Sequence, residues 1–230
     1  MLSVSNVRVR FPESDKPALH CPEITVAAGE IVALSGPSGC GKSTLGLAIL
    51  GLLPADARLS GRITFRDLVL TELGERDRGG LRGRRIAWIP QDVGASLSPF
   101  HPVARQIAEV AEVHEGISRK VAHGRAATLL ARLGIEDAGT RMREHPHRWS
   151  GGMLQRALIS MALMTSPELV IADEPTSALD PTARQAVVDL FRERAGAGTG
   201  FLVITHDSAL IAALQARVVY GVAPLSTSAG

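Results

Sequence analysis

Four segments of this chain, Ile31–Ser35, Arg85–Ile89, Leu169–Ala172 and Phe201–Thr205, are short, apolar and free of proline. That pattern predicts buried strands of a mostly parallel sheet. Leu2–Arg10 alternates imperfectly through Val4, Asn6, Val7, Arg8 and Val9, and Gly61–Leu70 is similarly mixed, so both are expected in a side sheet with one wet face. Between Pro102 and Leu133 the period changes. Val103, Ile107, Val110 and Ala111, then Val121, Ala126, Leu129, Leu130 and Leu133, recur at helical spacing and predict a helical lobe inserted mid-chain. Strand-like runs alternating with helical stretches are the mark of an α/β fold, a sheet covered by helices. Gly74–Gly83 and Gly196–Gly200 read as turn or linker, the second between a helix ending near Arg194 and the strand from Phe201. No repeat or low-complexity segment interrupts the chain, and the uncharged stretch after Tyr220 is expected to fray.

Composition narrows the class. With 45% hydrophobic and 21% charged residues in 230, the chain has ample core for one ordinary domain or two small ones, and disorder is not expected. The surplus of 25 basic over 23 acidic residues, +2, does not argue for a phosphate-backbone binder. The basic run Arg76–Arg85 has no interleaved aromatics and reads as a wet hairpin edge, so no nucleic-acid partner is expected. The longest apolar run, Leu45–Leu53, is about half of the ~20 residues that a spanning helix needs. Met1–Asp15 has no secretory pattern, and Cys21 and Cys40 make no disulfide framework, so the chain reads as cytoplasmic.

The first chemical signal is Gly36-Pro37-Ser38-Gly39-Cys40-Gly41-Lys42-Ser43-Thr44, which follows the strand Ile31–Ser35 and opens an apolar helix. Glycines at 36, 39 and 41 let successive N–H groups turn inward toward phosphate oxygens, and the helix adds its positive end. Lys42 is placed to reach the β- and γ-phosphates and the Ser43 hydroxyl to ligate Mg²⁺. Cys40, at a helix start, invites a redox role, but the phosphate motif accounts for the position without one. The second signal is Leu169-Val170-Ile171-Ala172-Asp173-Glu174-Pro175, two carboxylates at the end of a buried strand. Asp173 suits Mg²⁺ binding through water, and Glu174 suits a general base that polarises the attacking water. Together the two motifs point to nucleoside-triphosphatase chemistry.

A third segment, Trp149-Ser150-Gly151-Gly152-Met153-Leu154-Gln155-Arg156, leads into the apolar helix Ala157–Met164 and forms a second anion-binding helix start. Here the chain strongly resembles the ATP-binding subunits of ABC transporters. The resemblance covers about residues 2 to 215 and implies a RecA-like core of residues 1–92 and 160–230, an N-terminal antiparallel β-subdomain within it, and a helical subdomain of residues 93–159 carrying the signature. It also implies that Gln91 is the glutamine that senses metal and water, that Ser177-Ala178-Leu179-Asp180 crosses a dimer interface, and that His206 is the switch histidine at the γ-phosphate. Phe11 takes the place of the aromatic on which adenine stacks. In that family two subunits sandwich ATP, each phosphate loop facing Ser150, Gly151 and Gly152 of the other. Trp149 and Met153 depart from the usual leucine and glutamine without removing the serine hydroxyl or the backbone amides. His101, His114, His123, His145 and His147 lack ligand spacing and read as solvated or capping residues.

Leu81-Arg82-Gly83-Arg84-Arg85-Ile86-Ala87, Gln91-Asp92, Ser96-Leu97-Ser98-Pro99, His145-Pro146 and Gly152-Met153 are similar to importers of dipeptides, oligopeptides, nickel and metal-chelating opines. That likeness implies a second, non-identical ATPase, two membrane permeases, an external solute-binding protein, and a place on the cytoplasmic face of the plasma membrane. The short segment after the strand-like Val218-Val219-Tyr220 tilts the expectation toward the nickel or metal-chelate branch. Two rival readings are an ABC protein of a soluble complex, acting on nucleic acid or translation, and an accessory cassette of a phosphonate-degrading complex. A degenerate cassette is disfavoured, because Lys42, Asp173, Glu174 and His206 are all intact.

Overall fold

The computed structural model of the protein describes residues 1–12, 17–37 and 39–220. Ser38 of the phosphate loop, residues 13–16 and the expected fraying tail, 221–230, lie outside the described residues. In chain order the elements are β1 (Leu2–Arg10), β2 (Leu19–Val26), β3 (Ile31–Ser35), α1 (Lys42–Leu50), β4 (Arg58–Phe65), β5 (Leu68–Val69), α2 (Glu75–Gly79) and β6 (Ile86–Ile89). There follow α3 (Val103–Glu115), α4 (Arg119–Arg132), α5 (Ala138–Arg141), α6 (Gly151–Ala162), β7 (Leu169–Asp173), α7 (Pro181–Gly196), β8 (Gly200–Ile204), α8 (Ser208–Leu214) and β9 (Arg217–Tyr220).

The four apolar segments become β3, β6, β7 and β8, each within one residue of its expected ends. They form a parallel sheet in the order β6-β7-β8-β3-β9. Because every neighbour is parallel, the carboxyl ends of these strands share one edge, where open α/β sheets bind ligands. The side sheet is antiparallel in the order β2-β1-β4-β5. Its imperfect alternation has a local cause: the β1–β4 register shifts between Ser5 and Arg8, and Asn6 lies at φ 49°. This bulge moves the buried set from Leu2 and Val4 to Val7 and Val9. β2 was not legible as a strand, since Pro22 falls between the paired residues Cys21 and Glu23 and breaks the sequence pattern.

The basic run corrects an expectation. Instead of a hairpin edge, residues 75–79 form α2 and the arginines clasp other elements. Arg82 donates to the carbonyls of Leu50 (2.8 Å) and Gly51 (3.2 Å) and to Glu75, satisfying the exposed carbonyl end of α1 with positive charge. Arg85 and Arg66 both bind Glu168, which ties the side sheet to the start of β7 and holds the Glu168 carboxyl below its usual range.

Among the described residues three buried clusters form the interior. One joins the side sheet and α1 to one face of the parallel sheet, and a second packs α7 and α8 on the opposite face. The third lies wholly within residues 97–164. α6 contributes Ala157 and Leu158 to that third cluster and Ile159 and Ala162 to the second, so it connects the helical region to the sheet. No helix among the described residues is long and apolar enough to cross a membrane.

Both cysteines are free. Burial pushes the Cys21 thiol up to about 11, so it is uncharged at neutral pH and a poor nucleophile. Iodoacetamide at pH 8 should leave Cys21 unmodified in the folded protein and alkylate it after denaturation, as read by intact and peptide mass spectrometry.

Candidate active site

The sheet order brings the predicted residues together. β3 runs into the phosphate loop, β7 ends on Asp173 with Glu174 next, β8 is followed by Thr205 and His206, and Gln91 lies two residues beyond β6. Since β6, β7, β8 and β3 are consecutive neighbours, these four termini stand side by side. They surround a cavity of about 380 Å³ lined by Lys42, Ser43, Thr44, Gln91, Asp173, Glu174 and His206, with Gly39, Gly41 and Ala18.

The loop is shaped by close approach. Gly41 sits at φ 93°, and a β-carbon there would lie 2.3 Å from the Ala18 carbonyl oxygen, so only glycine fits. Lys42, Ser43 and Thr44 form the first turn of α1, whose positive end therefore faces the cavity. The Lys42 ammonium donates to the carbonyls of Gly36 (2.9 Å) and Pro37 (2.7 Å), which anchors the charge over the loop rather than out in solvent. Cys40 is 2% exposed, packed into the core beneath the loop.

Asp173 is buried, and that burial raises its carboxyl pKa; the Ser43 hydroxyl, hydrogen-bonded to it, and the Lys42 charge pull the other way. A carboxylate whose ionised form is disfavoured by burial, joined to a hydroxyl, is a hard-oxygen pair relieved by a small divalent cation, and fits Mg²⁺. Glu174 follows at φ 45°, a left-handed conformation costing a side-chain-bearing residue about 1–2 kcal/mol. Its own N–H donates to the Ile204 carbonyl (2.9 Å), pinning β7 to β8 at this turn. The carboxylate is held at both oxygens. Oε2 accepts from the Thr205 hydroxyl (2.9 Å), and Oε1 accepts from the His206 N–H (3.2 Å) and lies 2.6 Å from His206 Nδ1. With Nδ1 as donor, Nε2 is left free on a side chain that is 78% exposed, beside a Glu174 side chain only 12% exposed.

Three predicted residues, Ser150, Gly151 and Gly152, stand apart from this cavity at the start of α6. Ser150 is the N-cap, its Oγ accepting from the Met153 N–H (3.3 Å). A β-carbon on Gly152 would lie 2.8 Å from the Ala178 carbonyl oxygen, so the signature turn is packed directly on the Ser177–Asp180 loop. Gly152→Ala should force these backbones apart at a cost of about 1–3 kcal/mol, visible as a lower midpoint in denaturant melts. An unchanged midpoint would show the contact to be slack. Phe11 is half-buried against the side-sheet core and is not among the cavity-lining residues. Sequence reasoning missed Thr205, Arg184 and Asp207. The signal for Asp207 was present, an Asp directly before the helical Ser208–Leu214, where it caps α8 by accepting from the Ala209 and Leu210 amides.

The ABC transporter family profile matches residues 19–177. The chain belongs to the ABC transporter family. As an ABC cassette it carries the family's α/β ATPase fold, with an antiparallel sheet beside a parallel one covered by helices. It is 42% identical to the probable peptide ABC transporter ATP-binding protein y4tR of Sinorhizobium fredii, over 95% of this chain and 67% of that protein. It is 38% identical to the oligopeptide transport ATP-binding protein OppD of Salmonella typhimurium, over 95% of this chain and 66% of that protein. Against YejF of Escherichia coli, an uncharacterized ABC transporter ATP-binding protein, identity is 40% over 95% of this chain and 42% of that protein. This ABC cassette thus spans about two thirds of y4tR and OppD and under half of YejF. Among solved structures, the dimeric MJ0796, a bacterial ABC transporter cassette, superposes with a TM-score of 0.85 at 25% identity, covering 96% of this chain and 94% of that one. A post-hydrolysis MJ0796 dimer bound to ADP and Pi gives 0.82 at 26% identity, with the same coverage of both chains.

Proposed function

We propose that this chain is the ATP-binding and ATP-hydrolysing subunit of a bacterial ABC importer whose cargo is peptides. The observation that carries this reading is the meeting of Lys42, Ser43, Asp173, Glu174 and His206 around one cavity at the carboxyl edge of the parallel sheet. Peptide cargo is favoured by the names of y4tR and OppD; the nickel and metal-opine branches rest on motif likeness alone.

In this mechanism the loop 36–44 and the start of α1 bind the triphosphate through backbone amides and Lys42. Ser43, Asp173 and Gln91 would hold Mg²⁺, which when bound neutralises phosphate charge. Glu174, fixed by Thr205 and His206, accepts a proton from the attacking water, and His206 Nε2 contacts the γ-phosphate. Phe11 stacks on adenine. The second face of the nucleotide comes from Ser150, Gly151 and Gly152 of a partner ATPase, which is a non-identical paralogue. Residues 93–159 act as the lobe that passes opening of this seam to two permeases at the cytoplasmic face of the membrane, an external solute-binding protein delivering the cargo.

The test is ATP hydrolysis by the purified chain alone, then co-purified with its membrane partners, with peptide and nickel import measured in the same cells. Hydrolysis that depends on a second ATPase and permeases, with peptide uptake lost on deletion of this chain, is the expected result. Full activity of a closed homodimer without membrane partners would instead favour the soluble-complex reading.

A further inference from the structure

The hydrogen bonds around Glu174 extend beyond the residues that line the cavity. Thr205 is fully buried, and its hydroxyl donates to Glu174 Oε2 at 2.9 Å. The Thr205 hydroxyl oxygen in turn accepts from the Asp207 N–H at 3.1 Å. A hydroxyl has one proton and two lone pairs, so an amide already donating to the oxygen favours turning its proton on the carboxylate. Asp207 is itself fixed twice. Oδ1 accepts from the Ala209 and Leu210 amides, while Oδ2 meets the Arg184 guanidinium at 2.7 Å. Arg184 lies in the first turn of α7, which starts where the Ser177–Asp180 loop ends, with Asp180 as its N-cap accepting from the Ala183 N–H at 2.9 Å.

We propose that Thr205 is a positioning residue for the Glu174 carboxylate and that the Arg184–Asp207 pair transmits the placement of α7 and the Ser177–Asp180 loop to the Thr205 hydroxyl. Glu174 needs such a device because its left-handed backbone leaves the side chain to be aimed by its partners. His206 grips Oε1, and among the described residues Thr205 is the hydrogen-bonding partner of Oε2. Without the hydroxyl the carboxylate can pivot about the His206 contact and lose its line to the attacking water. A shift of the Ser177–Asp180 loop would move Arg184, then Asp207, then the Thr205 hydroxyl, so the aim of the base would follow the state of that loop. This inference rests on Glu174 being the base.

The experiment compares Thr205→Val, Thr205→Ser and Glu174→Gln in the co-purified complex with wild type in parallel. Thr205→Val removes the hydroxyl while keeping the side chain's shape, and should lower kcat about ten- to hundred-fold, the range for a lost hydrogen bond to a charged group. KM for ATP should stay within about twofold, because Thr205 does not line the cavity. Thr205→Ser should restore most of kcat, which a purely packing role would not allow. Asp207→Asn keeps the capping oxygen but loses the charge facing Arg184; it should lower kcat modestly, with little further loss when added to Thr205→Val, since both act on one path. If the valine variant does not fold, Thr205→Ala against serine makes the same comparison. Wild-type kcat in Thr205→Val, or a serine variant as slow as valine, overturns the proposal. If Glu174→Gln itself keeps wild-type turnover, the assignment of the base falls first and the proposal with it; if Glu174→Gln is slow while Thr205→Val is fast, only the proposal falls.

Discussion

Glu174→Gln should hydrolyse ATP about 10²–10⁴-fold more slowly than wild type while still binding it, since that is the range a positioned general base contributes. Glutamine is nearly isosteric and keeps an amide oxygen able to accept from Thr205 or His206, so the turn at φ 45° and the β7–β8 link through the Ile204 carbonyl survive. What disappears is the basic lone pair and the negative charge. A nucleotide retained but not split should accumulate in the sandwiched state, so the variant should elute as an ATP-dependent dimer with its partner ATPase. The measurement is steady-state phosphate release beside size-exclusion chromatography with and without ATP. Turnover at the wild-type rate would remove Glu174 from the role of base and leave only water positioning by other groups.

Lys42→Ala should weaken ATP binding by about 100-fold or more. The reason goes beyond a missing cation. The ammonium is held by the carbonyls of Gly36 and Pro37 at 2.9 and 2.7 Å, and these oxygens belong to the loop proposed to cradle the phosphates. Removing Lys42 takes away a charge-assisted contact worth about 1.5–3 kcal/mol and leaves two acceptors without their donor beside the phosphates. Lys42→Arg should not rescue, because a planar guanidinium cannot occupy the compact point between two carbonyls and the phosphate oxygens. Fold stability should change little, since Lys42 is not part of a buried cluster. Equilibrium binding of a fluorescent ATP analogue, paired with a thermal melt of each variant, checks both halves. Affinity within about threefold of wild type in Lys42→Ala would show that backbone amides alone carry the triphosphate.

Much of this protein was determined by sequence alone, because the controlling physics is local. A strand of five apolar residues, a glycine-rich loop and an apolar helix are short-range patterns, and Ile31–Ser35 followed by Lys42–Leu50 formed where the pattern placed them. The N-caps at Ser150 and Asp180 are local in the same sense, a short side chain reaching an amide three residues on. Other outcomes depended on partners distant in the chain. The basic run 76–85 looked like a wet edge because nothing nearby reveals that Arg82 would meet the carbonyl end of α1, or that Arg85 would meet Glu168. β2 was hidden by Pro22, and its place was set by antiparallel pairing with β1. The candidate site divides along the same line. The residue types at 42, 43, 173 and 174 pointed to nucleotide chemistry and the family resemblance added 206, but that they surround one cavity follows from the strand order β6-β7-β8-β3, a long-range arrangement. The packing of Gly152 on Ala178 and the route from Arg184 through Asp207 and Thr205 to Glu174 exist only in three dimensions. Hydrogen bonds are directional over about 3 Å, so no spacing along the sequence encodes them until the sheet has brought its edges together.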